Sequence, residues 1–416
     1  MAPLVSVVMS SYNHAAYLPS AIESVLGQTL EDLELVVADD GSTDGSLDIA
    51  RRYAESDPRV RVLTHEGHVN LGIGPTTNLA RAHIQGSYVL GMPSDDVLHP
   101  DTLEREVAFL EANPNVGFVY GHAELIDAEG RPIELRGRRG PEPGLIGRDL
   151  TAGGKIVERL VQGNSIAGMT ALFRRECHEQ VREEHPTLVY GDWERQTRAA
   201  AHWGVGFIPR ALASCRVHGR NTSIDVPRET RVARHLEVTE VLRERAVAVG
   251  GRLAEPRVRA LLELQMGYLR FASGAADEAD IRAAFARDPA LAGDARWLGD
   301  WLWARVLDEL LPSGGPDFVE WFSDTIRPLL EQHAARSIRR DIAAARAEAR
   351  AIRRARAGRP AAAITAVLTA IAYAPTRRHD HRLRSLILHS IVLTPVGNAL
   401  SRARRRLLRS RRAILT

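Results

Sequence analysis

Short apolar runs alternate with amphipathic stretches over the first 125 residues, and this alternation limits the possible folds more than any other feature. The runs, several of them rich in β-branched residues, lie at residues 5–10, 33–38, 60–63, 88–92 and 117–120. Between them, apolar residues recur at helical spacing, as at Leu18, Ile22 and Val25. Strands that alternate with helices of this length predict an α/β fold, with a mainly parallel sheet and helices on both faces.

The length of the chain predicts further structure after this sheet. A chain of 416 residues exceeds what one hydrophobic core usually organises. Strand signals fade after residue 225, and Ala, Leu, Arg and Glu dominate the remainder. We therefore predict an α/β domain in residues 1–225, a helical region in residues 226–335 and a basic helical tail in residues 336–416.

Polar clusters follow three of the predicted strands, at Tyr12-Asn13, Asp39-Asp40 and Asp95-Asp96. Ligands of parallel α/β sheets bind beyond the carboxyl ends of the strands. Asp39 could accept hydrogen bonds from the N–H groups of a nucleotide base, and it could equally cap the next helix. Asp95 and Asp96 repel each other unless a cation joins them, so Mg²⁺ with substrate phosphates is one interpretation and a solvated turn is the other.

The order of several motifs resembles the nucleotide-binding half of family 2 glycosyltransferases, which have the GT-A fold. The motifs are Val-Ser-Val-Val-Met-Ser-Ser-Tyr-Asn-His at 5–14, Val-Val-Ala-Asp-Asp-Gly-Ser-Thr-Asp at 36–44, Asn-Leu-Gly at 70–72, and Ser-Asp-Asp-Val-Leu-His-Pro-Asp-Thr-Leu at 94–103. The match covers about residues 4–125 and continues more thinly to about residue 225. Ordered agreement of several motifs is far more specific than any single motif.

The resemblance implies a role for particular residues at the nucleotide. Asp39 would accept a hydrogen bond from the base, Tyr12 would lie alongside the base, and Asp95 would lie near the ribose. Asp96 would be the direct ligand of Mg²⁺ or Mn²⁺. It also implies nucleotide contacts at Ser10 and Asn78. Many relatives carry Asp two positions before Asp95, where this chain has Pro93.

Two further segments resemble the acceptor side and the closing loop of the same family. Tyr190-Gly191-Asp192-Trp193-Glu194 is similar to the segment, often Glu-Asp, whose Asp deprotonates the acceptor hydroxyl, which implies that Asp192 is the catalytic base. Gly191 replaces the usual acid, and Glu194 is the competing base. The segment 216–223 is similar to a loop whose His contacts the metal or the diphosphate, which implies that role for His218.

The basic tail, residues 336–416, contrasts with an acidic body. It contains 20 Arg against Asp341, Glu348 and Asp380, a formal charge of +17. Because the whole chain carries +3, the other 335 residues carry −14. Basic and apolar residues interleave in the tail, so peripheral contact with an anionic membrane and docking on the acidic body are both open interpretations. Few aromatic residues are present for base stacking, and no nucleic-acid partner is expected.

The resemblance therefore implies an inverting glycosyltransferase that moves a sugar from a nucleoside-diphosphate sugar, with a UDP-sugar favoured, to an acceptor hydroxyl. The acceptor would be a glycan, a lipid-linked molecule or a small molecule, in envelope polysaccharide or glycoconjugate synthesis. The alternatives are a non-catalytic sugar-nucleotide-binding or scaffold protein and a nucleotidyltransferase. Two cysteines and no signal-like or membrane-spanning run predict a cytoplasmic protein, either free or on the inner face of the cell membrane.

Overall fold

The structure is a computed structural model that describes residues 2–133, 145–146, 149–151, 155–221 and 226–294, with a few positions beyond them. The later described positions are 297–298, 301, 318, 321–322, 324–326 and 347. Two compact units divide the chain, Met1–Gln265 and Met266–Thr416. The predicted divisions at residues 225 and 335 stay predictions, and the basic tail lies outside the described residues except for residue 347.

Within the described part of the first unit, nine strands form one sheet with the order β3-β2-β1-β4-β8-β6-β9-β5, and β7 pairs with β6. The strands are β1 Val5–Ser11, β2 Leu33–Asp39, β3 Val60–Thr64, β4 Tyr88–Pro93, β5 Val97–Leu98, β6 Val116–Ile126, β7 Leu145–Ile146, β8 Leu172–Arg174 and β9 Gly204–Arg216. Strands β1 to β4 form a parallel half, as predicted. Strand β8 runs antiparallel to β4 and β6, so the other half is mixed.

Helices cover this sheet because their apolar stripes face it. The first-unit helices are α1 Leu18–Leu26, α2 Ser46–Ser56, α3 Ile73–Arg81, α4 Thr102–Ala112, α5 Ile156–Leu160, α6 Arg175–Gln180, α7 Gly191–His202 and α8 Arg228–Val249. In α1, Leu18, Ile22 and Val25 are fully buried, as their spacing predicts. Helix α9, Pro256–Ser273, contains the boundary between the two units.

The described part of the second unit is helical, as expected for the region after the sheet. It contains the end of α9, then α10 Glu278–Arg287 and α11 Ala290–Gly293. Asp277 caps α10 by accepting a hydrogen bond from the Ala279 N–H at 2.8 Å. Aromatic rings form its core, with Phe318 5.2 Å from Tyr268 and 5.8 Å from Trp301. No helix in the described residues combines the length and hydropathy that a membrane crossing requires.

Candidate functional site

Asp39 lies at the carboxyl end of β2, where the register pairs it with Ser11 of β1. Its side chain is buried, and Oδ1 accepts hydrogen bonds from the Ser42 N–H at 2.9 Å and from His68 Nε2–H at 2.9 Å. Among the described residues, no group donates to Oδ2, although that atom is buried too. A buried acceptor without a partner is costly, so Oδ2 is an acceptor poised for a ligand.

Asp40 fastens the loop that follows β3 to the same edge of the sheet. Its two carboxylate oxygens accept the backbone N–H groups of Leu71 at 2.8 Å and Gly72 at 3.0 Å. Gly41, at φ +73°, lets this loop approach, because a Cβ there would lie 2.8 Å from the Asn70 nitrogen. The loop exposes about half of the Leu71 side chain, and Tyr12 of the preceding loop is 47% exposed.

A second cluster brings together three loops that are distant in sequence. His14 follows β1, Asp95 follows β4 and His218 follows β9, and their potential ligand atoms all lie within 4.8 Å of one another. His218 Nε2 is 3.0 Å from Asp95 Oδ2. The Tyr17 ring stacks on His218 with 4.7 Å between centroids. Burial lowers the pKa of His14, which keeps its imidazole in the neutral form that binds metals.

Asp96 occupies a different position from its neighbour. Its Oδ1 accepts the backbone N–H of Arg216 at 2.8 Å, and burial, followed by the charge of Asp95, raises its pKa well above the ordinary value. Arg216 in turn donates from Nε to the Asp95 carbonyl oxygen at 2.9 Å. The two aspartates therefore differ in their contacts: Asp95 faces the two histidines, and Asp96 ties the end of β9 to the loop after β4.

Asp192 opens α7, and its carboxylate is buried enough for its basicity to change. Burial, followed by the charge of Glu184, raises the pKa of Asp192 to about 6. Its Oδ1 accepts the Trp193 N–H at 2.8 Å. Gly168 makes room for the other oxygen, since a Cβ at position 168 would lie 2.5 Å from Oδ2. A carboxylate with this pKa is ionised at neutral pH and is still basic enough to accept a proton.

Glu194, the competing base, is held in ion pairs. Its Oε1 accepts from Arg198 Nε at 2.8 Å and lies 3.3 Å from Arg245 Nη1. The side chain is fully buried. Two guanidinium groups already contact this one carboxylate oxygen, so the geometry favours Asp192 over Glu194 as the candidate base.

The other two predicted nucleotide residues have different surroundings. Ser10 is half-buried on β1, between Ala38 of β2 and Pro93 of β4. The Asn78 amide is occupied: Nδ2 donates to the Glu184 carbonyl at 3.0 Å, and Oδ1 accepts the Glu184 N–H at 2.9 Å. Asn78 thus anchors the segment that leads to α7, and its predicted nucleotide contact stays a prediction.

Sequence reasoning missed three residues of this region: His14, His68 and Glu184. His14 had a usable signal, because it ends the same loop as Tyr12 beyond a predicted strand. His68 and Glu184 had none, since each reaches its partner across a long separation, from His68 to Asp39 and from Glu184 to Arg81.

Residues 6–181 match the family model described as "Glycosyl transferase family 2". An uncharacterised glycosyltransferase of Nostoc sp. is 36% identical over 238 residues, which are 54% of this chain and 68% of that protein. The chondroitin synthase of Escherichia coli is 37% identical over 131 residues, 32% of this chain and 19% of that one.

Among solved structures, S. aureus TarS residues 1–349 in complex with UDP-GlcNAc aligns with a TM-score of 0.48 and 20% identity. The alignment covers 82% of this chain and 90% of that one. The family match lies on the half of the chain that carries β1 to β8, including Asp39, Asp95 and Asp96. This chain belongs to family 2 of the glycosyltransferases.

Proposed function

We propose that the chain transfers a sugar from a nucleoside-diphosphate sugar to an acceptor hydroxyl with inversion, in the synthesis of a polysaccharide or glycoconjugate. One observation carries the proposal: the carboxyl edge of the sheet holds both Asp39 Oδ2, which has no partner among the described residues, and the cluster of His14, Asp95 and His218. Asp39 Oδ2 suits the nucleotide base, and the cluster suits a diphosphate with its cation. Family membership favours sugar transfer over nucleotidyl transfer.

Asp39 Oδ2 selects the base by accepting an N–H. Uracil and thymine offer N3–H and guanine offers N1–H, whereas cytosine and adenine present an unprotonated ring nitrogen there. The half-exposed Tyr12 and Leu71 give the base apolar surfaces at the same edge. A UDP-sugar is therefore the first donor to test.

The donor set fits a divalent cation, because it combines a carboxylate with two imidazoles at ligand-to-ligand distances. Asp95, His14 and His218 would hold it, and nitrogen donors favour Mn²⁺ over Mg²⁺. When bound, the ion supplies positive charge to the diphosphate leaving group. Asp96 would act through the backbone of Arg216, which places His218, so we propose Asp95 rather than Asp96 as the direct ligand.

Asp192 would take the proton of the acceptor hydroxyl as the acceptor oxygen forms its bond to the anomeric carbon and the bond from that carbon to the diphosphate oxygen breaks, releasing the nucleoside diphosphate. One in-line displacement, with no covalent sugar–enzyme intermediate, inverts the anomeric centre. The membrane contact proposed for the basic tail falls outside the described residues and stays a prediction. Incubating the protein with Mn²⁺ and a panel of sugar nucleotides, and following release of the nucleoside diphosphate, tests the activity; no release from any donor would favour the non-catalytic alternative.

Asp39→Asn is expected to weaken nucleoside-diphosphate binding about 10- to 100-fold. The amide keeps an oxygen for Ser42 and His68 but places an NH₂ group where Oδ2 accepts the base. Calorimetric titration with UDP measures the effect. Asp48→Asn is the control, since its side chain is 80% exposed on α2 and should leave affinity unchanged. Equal affinity of wild type and Asp39→Asn would exclude Asp39 from base binding.

Gly168→Ala is expected to slow sugar transfer about 10- to 100-fold without changing nucleotide affinity. The new methyl group would lie 2.5 Å from Asp192 Oδ2, so the carboxylate must move. Steady-state rates and UDP affinity, measured on the same preparation, separate the two effects. Wild-type turnover in a folded variant would show that the position of this oxygen does not matter.

A further inference from the structure

The space beside Asp192 is filled by a side chain from another part of the chain. Gly191 has no side chain, and a Cβ built there would lie 3.4 Å from Cγ, Cδ and Oε2 of Glu184. Glu184 is only 9% exposed, so its carboxylate sits inside the protein, next to the first turn of α7. The position that an acid at 191 would reach is thus already occupied by a carboxylate.

Several contacts fix Glu184 in this position. Its backbone N–H and C=O both pair with the Asn78 amide of α3. Its Oε1 accepts from Arg81 Nη2 at 2.7 Å and lies 3.9 Å from Arg195 Nε. Both arginines are nearly fully buried, and Arg195 also packs 4.2 Å from the centre of the Phe173 ring. These contacts hold the buried carboxylate of Glu184 in one position beside the first turn of α7.

We propose that Glu184 is a positioning residue for the base, supplying across space the acidic neighbour that Gly191 does not supply along the chain. This role rests on the proposed function of Asp192. It differs from a merely structural ion pair with Arg81, because it depends on a negative charge beside Asp192.

The charges that face Asp192 determine what this arrangement does. Glu184 opposes ionisation of Asp192, whereas Arg195 and Arg81 favour it, and the Tyr190 hydroxyl lies nearby. Burial lowers the pKa of Arg195 to about 9, so this cation remains protonated at neutral pH. Without Glu184, only the positive charges of the two arginines would act on Asp192, and they would make it a weaker base.

The test measures Asp192 directly, by carbon-13 NMR titration of protein labelled at the aspartate side-chain carboxyl, with Asp192→Asn identifying the resonance. Glu184→Gln is expected to lower the pKa of Asp192 by about one unit. The acidic limb of the profile of turnover against pH should move to lower pH by the same amount. Glu183→Gln, an exposed neighbour, is the matched control and should leave both unchanged.

Relocation of the acid separates a charge effect from a structural one. In the double variant Glu184→Ala with Gly191→Glu, the glutamate introduced at position 191 would occupy the space that Glu184 leaves. The pKa of Asp192 should then be higher than its pKa in Glu184→Ala alone. An unchanged pKa in folded Glu184→Gln, an equal shift in Glu183→Gln, or no recovery in the relocated variant would each overturn the proposal. Because the titration needs no substrate, a wild type that releases no nucleotide would count against the enzymatic function alone.

Discussion

Asp192→Asn should reduce sugar transfer by about 10²- to 10⁴-fold while leaving nucleotide affinity unchanged. Asparagine preserves the shape of the side chain and can still accept the Trp193 N–H. It cannot accept the proton of the acceptor hydroxyl. Steady-state turnover and calorimetric UDP affinity test the two halves of this result, with Glu183→Gln as the control. Retained turnover in Asp192→Asn would remove Asp192 from the role of base.

The same substitution should make the protein more stable at pH 8. Folding raises the pKa of Asp192 from 3.8 to about 6, so the fold favours the protonated form. That contribution to stability is complete below pH 3.8 and is lost as the pH rises through about 6. Because asparagine resembles the protonated form, we expect a gain of about 3 kcal/mol at pH 8 and little at pH 4. Thermal unfolding at both pH values measures it, and lower stability of the variant at pH 8 would contradict the account.

The pH dependence of turnover in the wild type follows from the same group. Since the base must be ionised, the rate should fall as the pH drops below about 6. A metal-binding defect at low pH is separated by measuring Mn²⁺ affinity over the same range. An acidic limb that remains in Asp192→Asn would have to come from another group.

Asp95→Ala should remove the part of nucleotide affinity that depends on Mn²⁺, the second large effect that the site predicts. Asp95 is the one carboxylate in the cluster with His14 and His218 among the described residues, and its Oδ2 faces His218 Nε2 at 3.0 Å. Without it, the two imidazoles alone would be left to hold a divalent cation against the diphosphate and water. We expect Mn²⁺ affinity to fall about 10- to 100-fold, which is the range typical of replacing a residue that supports a metal site.

Asp96→Asn distinguishes the two adjacent carboxylates. Its amide oxygen can still accept the Arg216 N–H, so the loop that carries His218 should stay in place. We therefore expect Asp96→Asn to retain most of the Mn²⁺ dependence that Asp95→Ala loses. The reverse order of the two effects would restore Asp96 as the direct ligand, as the family resemblance alone implies.

The sequence predicted the parallel half of the sheet because strong apolar runs end at polar clusters there. β1, β2 and β4 all follow that pattern, and their ends carry Tyr12, Asp39 and Asp95. Strand β8 was missed because its three residues are too short to show a period, and β9 because its 13 residues mix apolar and polar positions irregularly. These strands complete the sheet through contacts far apart in the chain.

The details of the site were harder to predict than its location. Asp95 lies in the turn after β4 and Asp96 lies directly before β5, and their adjacency in sequence does not say which carboxylate faces a ligand. His14 and Glu184 lie beside residues that are distant in sequence and that the fold brings together, namely His218 and Arg81. Motif order identified the edge of the sheet, whereas the partners of each carboxylate required the three-dimensional structure.

The most direct test of the central claim is calorimetric titration of UDP, GDP, CDP and ADP into the wild type and Asp95→Ala, each with and without Mn²⁺. We expect that UDP or GDP binds the wild type in a Mn²⁺-dependent manner, that CDP and ADP bind much more weakly, and that Asp95→Ala loses the dependence on Mn²⁺. Equal binding of all four nucleotides, or Mn²⁺ dependence that survives in Asp95→Ala, would contradict the base and metal site placed at this edge of the sheet.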